Sequence, residues 1–144
     1  MGMAEKVSPE AGTTAIGFRV PAVADQLIMT RALTETVALV ADFGIDEATD
    51  IRLAVDEVVS ALIVDAVAGS EIDCTFTAGE STMDVRVAAV TTGADCPDTG
   101  GFGWHIVSTL TQWVHTSNSG YDESAGGWPT VVEFRWARGG TDVA

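Results

Sequence analysis

Between Ile51 and Ala66 the chain reads IRLAVDEVVSALIVDA, and Ile51, Ala54, Val55, Val58, Leu62 and Ala66 recur at spacings of three and four. That period fits one buried face of an α-helix and does not fit a strand. Such a helix must lie on a core, and a chain of 144 residues can supply one. The same stretch carries two adjacent carboxylates, Asp56 and Glu57, in its middle. Glu57 has Leu53, Ala54 and Ala61 as turn neighbours and Val64 two turns on, an apolar setting for a solvated charge. It is therefore the first candidate for chemistry. The competing reading is an acidic edge of the helix turned to water.

The flanking sequence predicts the elements that this helix packs against. Residues 1–14 are polar and are expected to be a disordered lead-in. Ala15–Val20 alternates as a first strand closed by Pro21. From Val23 to Phe43, the residues Leu27, Ile28, Leu33, Val37 and Val40 mark a helix, with Gly44 expected as its C′ stop. Asp46 is the expected cap of the acidic helix, with Glu47 and Asp50 in its first turn, and Gly69-Ser70 ends it. Ile72–Thr77 and Met83–Val90 read as a hairpin around Ala78-Gly79-Glu80-Ser81. Thr91–Gly101 is a loop, and Phe102 to about Val114 a third helix. Ser117–Pro129 is a polar connection, and Thr130–Ala137 a last alternating strand. Trp113, Trp128 and Trp136 are expected as core or pocket aromatics. The sum is one α+β domain over residues 15–138, a two-layer sandwich with helices on one face of a mainly antiparallel sheet, followed by a tail at 139–144.

Charge narrows the function classes. Seven basic residues against twenty-one acidic ones give a net charge of −14. That balance argues against nucleic-acid binding, which needs Lys and Arg on phosphates, and favours basic protein partners. Acidity that serves solubility alone is the competing reading. Cys74 and Cys96 form no Cys-x-x-Cys and are expected to be reduced thiols. His105 and His115 have no ligand-spaced companions, so no metal site is expected from them. No uninterrupted apolar run is long enough to span a bilayer, and MGMAEKVSPEAG has neither a signal-type apolar region nor a myristoylation pattern. A soluble, cytoplasmic protein is expected.

Gly101-Phe102-Gly103-Trp104 runs directly into the third helix. Glycines permit close approach, and backbone N–H groups at a helix N-terminus favour phosphate. The competing reading is a plain turn. With these residues in view, the chain resembles the GHKL ATPase superfamily. Within that, it is similar to the RsbW-type anti-sigma factors, which also act as serine protein kinases, and to the anti-sigma-F factors of mycobacteria and other actinobacteria. The resemblance covers roughly Ala15–Ala137. It rests on LAVDEVVSALI at Leu53–Ile63 and GFGWHIVSTL at Gly101–Leu110, in that order and separation.

The resemblance implies a GHKL-type fold, and ATP or ADP with Mg²⁺ as its ligands. It makes Glu57 the general base toward the water or serine hydroxyl that attacks the γ-phosphate. It assigns nucleotide contacts to Gly93, Gly101, Gly103 and Thr130. It also places Arg31 among partner contacts, with an i+4 salt bridge to Glu35 as the alternative. The chain departs from the family pattern at two positions. Ala61 stands where an Asn would bind Mg²⁺, and Ser60 points about 100° around the helix. Thr91 stands where an Asp would read the adenine amino group, two residues before Gly93. Each lost polar contact costs about 1–3 kcal/mol. Together they weaken nucleotide by roughly tenfold to a thousandfold or more. The expected function is thus an anti-sigma factor with a degenerate nucleotide site. It would be a homodimer that sequesters a sigma factor and is countered by an anti-anti-sigma protein. An active serine kinase acting on that anti-anti-sigma protein is the rival.

Overall fold

The computed structural model describes residues 14–139. The expected lead-in and tail lie outside these residues, except that Thr14 is already paired in a strand and Gly139 closes a turn. The elements are β1 (Thr14–Pro21), a 3₁₀ turn (Ala24–Gln26), α1 (Leu27–Val40), α2 (Ile45–Val64), β2 (Glu71–Ala78), β3 (Thr82–Thr91), α3 (Phe102–Leu110), β4 (Trp113–Asn118) and β5 (Trp128–Ala137). The strands form one sheet in the order β1-β2-β3-β5-β4, antiparallel at every pairing.

Alternation along the strands divides this sheet into two faces. Ile72, Cys74, Phe76, Met83, Val85, Val87, Val132, Phe134 and Trp136 point into the core and are buried. Between them, Asp73, Thr75, Asp84, Arg86, Glu133 and Arg135 take the other face. The expected helical stripe lies on the inner face: Ile51, Ala54, Val55, Val58, Val59 and Leu62 of α2 are at most 1% exposed. Each buried Val, Leu or Ile contributes roughly 1.5–3 kcal/mol, so this seam holds α2 firmly and fixes what its flanks present. The α+β sandwich read from the sequence is the fold observed.

Four local expectations are corrected. First, α1 is ended by Asp42, whose φ is +72°. Phe43 N–H donates to the Ala38 carbonyl and Asp42 N–H to that of Leu39, each at 3.0 Å, a Schellman closure that needs no glycine. Second, Gly44 is the N-cap of α2 in place of Asp46. Its N–H donates to Glu47 Oε1 at 2.7 Å, so the acid at the third helical position carries the cap. Third, α3 stops at Leu110, and Trp113–Asn118, expected partly as helix and partly as loop, is strand β4. Pairing with β5 overrides the local signal: Gln112 N–H donates to the Arg135 carbonyl at 2.7 Å, and Val114 lies opposite Phe134. Fourth, Trp113 is no core aromatic. It is 44% exposed, with the Arg135 guanidinium 5.8 Å from its ring centre.

Candidate functional site

Two clusters gather most of the residues singled out in the sequence. The first lies where α2 meets α3. Gly101 caps α3 with extended backbone, and Gly103 sits in its first turn. Glu57, half-buried on the flank of α2, puts its carboxylate against Gly103. A side chain at Gly103 would overlap Glu57 Oε1. Glycine leaves the room that the Glu57 carboxylate occupies here. The fold therefore joins the candidate base to the glycine loop. Just before that loop, Asp98 Oδ1 accepts a hydrogen bond from Gly100 N–H at 2.9 Å. Ala61, one turn after Glu57, offers no ligating atom.

The second cluster lies at the paired ends of β3 and β5. Thr91 and Thr130 are at most 1% exposed. The Thr91 hydroxyl donates to the Gly93 carbonyl at 2.9 Å and lies 2.8 Å from the Thr130 hydroxyl. Thr130 in turn reaches the Trp128 carbonyl at 3.0 Å. Each hydroxyl has one hydrogen, and both are placed among acceptors inside this corner. Gly93, whose carbonyl closes the chain, has Asp95 and Cys96 as nearest side chains. The corner is tied to the end of α2, where Thr92 N–H donates to the Asp65 carbonyl at 2.8 Å and Val67 N–H to that of Val90 at 2.9 Å.

Sequence reasoning missed Gly127 as a packing residue. A Cβ there would lie 2.5 Å from the Thr91 carbonyl oxygen, 2.7 Å from Val67 Cγ2 and 2.9 Å from Val90 Cγ1. The Gly126-Gly127 pair was the available signal, but only the fold shows which of the two meets backbone.

Arg31 does not pair with Glu35. Its Nε donates to Asp56 Oδ1 at 2.7 Å and its Nη2 to Oδ2 at 3.4 Å, across from α1 to α2. This pairing raises the guanidinium pKa, first through the hydrogen bond and then through the charge. Glu35 faces Arg52 of α2 instead, at 3.4 Å. Asp56, the neighbour of Glu57, is thus an internal partner and not a solvated edge. At the other end of α2, Arg138 Nε donates to Glu47 Oε2 at 2.7 Å. That bond, aided by Gly44 N–H, holds the Glu47 carboxyl below its usual range.

Cys74 is buried, and burial pushes its thiol up to about 12, which makes it a poor nucleophile. Burial and a hydrogen bond to Asp65 raise Cys96 as well. Among the described residues, no group of three or more His, Cys, Asp or Glu side chains is placed to hold a metal ion. No helix among them is long and apolar enough to cross a membrane.

No family model matches the chain. Its sequence is similar to the anti-sigma-F factor RsbW of Mycobacterium tuberculosis, in both strain CDC 1551 / Oshkosh and strain ATCC 25618 / H37Rv. In each case identity is 27% over 118 residues, covering 82% of this chain and 70% of the relative.

Proposed function

We propose that this protein is an anti-sigma factor of the GHKL type that sequesters an alternative, sigma-F-type sigma factor in the cytoplasm. One observation carries the reading: the similarity to anti-sigma-F factors runs through 82% of the chain, from strands to helices, and is not confined to one motif. The acidic balance of −14 supports a protein partner over nucleic acid. The partner masks its polymerase-binding surface on a homodimer of this chain, with Arg31 among the contacts, and an anti-anti-sigma protein competes for the same factor.

Nucleotide plays a minor part. Mg²⁺ needs hard oxygen ligands, and Ala61 supplies none one turn from Glu57. Thr91 and Thr130 are buried and direct their two hydroxyl hydrogens into this corner, which leaves neither to donate to a phosphate. ATP or ADP at Gly93, Gly101 and Gly103 is therefore held weakly. The test is co-elution of the purified chain with a sigma-F-type sigma factor on size exclusion. A stable complex without nucleotide is expected; its absence both with and without MgATP contradicts the reading.

A serine kinase acting on the anti-anti-sigma protein is the second reading. The contact between Glu57 and Gly103 favours it, because it brings a base to the loop expected to hold phosphate. Transfer of label from ATP to the anti-anti-sigma protein, lost in Glu57→Ala, would support it. No transfer from the unaltered protein with ATP and Mg²⁺ excludes it.

A further inference from the structure

Each of the six arginines among the described residues faces a carboxylate. The pair on α1 differs from the rest. Asp56 is the most enclosed acid of the set, its side chain only 18% exposed against 26–55% for the others. Arg31 is 41% exposed. The carboxylate is thus anchored between the helices while the guanidinium remains at the surface. Two hydrogen bonds, from Nε and Nη2, hold the guanidinium plane. Among the described residues, Nη1 engages no acceptor. Arg31 is also the single cation of α1, and Ile28 and Met29 beside it are 75% and 51% exposed.

We infer that Asp56 is a positioning residue: it fixes Arg31 in advance to receive a carboxylate carried by an apolar segment of the sigma factor. This rests on the anti-sigma reading above. An unheld arginine must be ordered at the moment of binding, and ordering one long side chain costs roughly three- to tenfold in affinity. Asp56 spends that ordering in the free protein. A Lys would not serve, since it lacks the planar fork that lets one face hold Asp56 while another stays available.

The experiment measures sigma-factor affinity by titration calorimetry for the full chain and for Arg31→Ala, Asp56→Asn, Asp56→Glu and the double variant Arg31→Ala/Asp56→Asn. Asp56→Asn is expected to weaken binding roughly three- to tenfold. Asp56→Glu, which keeps the charge, recovers part of that loss. In the Arg31→Ala background, Asp56→Asn adds nothing, a non-additivity that a structural defect would not produce. The Arg31 Nε–H resonance in the free protein supplies a readout that needs no partner: slow exchange in the unaltered chain, fast in Asp56→Asn. Unchanged affinity in Asp56→Asn, an equal loss in both backgrounds, or fast Nε–H exchange in the unaltered chain overturns the inference alone. No complex with the unaltered chain overturns the anti-sigma reading and the inference with it.

Discussion

The two clusters of the candidate site are built on opposite terms. At the α2–α3 junction, glycine yields its space to the movable end of a charged side chain, Glu57. At the β3–β5 corner, glycine yields its space to backbone, and two buried hydroxyls close on one another. The first cluster keeps an ionisable group at a glycine loop. The second has used its polar groups to hold the fold. The following measurements break or sharpen that contrast, in falling order of effect.

Gly127→Ala should cost about 3 kcal/mol, because the Thr91 carbonyl and two valines would have to move together. Urea unfolding measures it, and a loss below about 0.5 kcal/mol, the range of ordinary surface substitutions, would remove the close-packed corner from the picture. Thr130→Val should cost about 1–2 kcal/mol by removing the hydroxyl that bonds Thr91 and the Trp128 carbonyl. The double variant Thr91→Val/Thr130→Val should cost less than the sum of its singles, since either single already removes the bond between the two hydroxyls. Additive losses would mean that the two hydroxyls act separately. Gly103→Ala should stay within about 1 kcal/mol of the unaltered chain, because Glu57 can swing aside and alanine favours the helix. A loss equal to that of Gly127→Ala would erase the distinction between the clusters.

The smallest effect is at the far end of α2. The folded Glu47 carboxyl titrates below its ordinary value of 4.5, so its bond to Arg138 adds stability above that pH. That share fades as pH falls through the lower folded value. Glu47→Gln should therefore be less stable than the unaltered chain near neutrality, by under about 1 kcal/mol for so exposed a pair. The gap should narrow below pH 4.5, as denaturant midpoints across pH 3–7 would show. A gap that widens in acid has the wrong sign.

Much of the fold was legible because it is written in local periods. The stripe from Ile51 to Leu62 and the alternation of β2, β3 and β5 each announce one buried face. β4 was not legible, because a short strand of Trp113–Asn118 is defined by its pairing with Phe134 and Val132 and not by its own composition. The site divides the same way. Glu57 and the glycines of the loop stand out as sequence. The partner of Arg31 does not: the i+4 rule points to Glu35, while the helix hairpin brings Asp56 from 25 residues away. The Thr91–Thr130 bond spans 39 residues and leaves no local trace.

Sequestration without nucleotide is tested most directly by titrating a sigma-F-type sigma factor into the full chain with and without MgATP. The expected result is a complex in both cases, with dissociation constants within about threefold, which is under 1 kcal/mol. Tightening of tenfold or more by MgATP, or no complex in either condition, would contradict it.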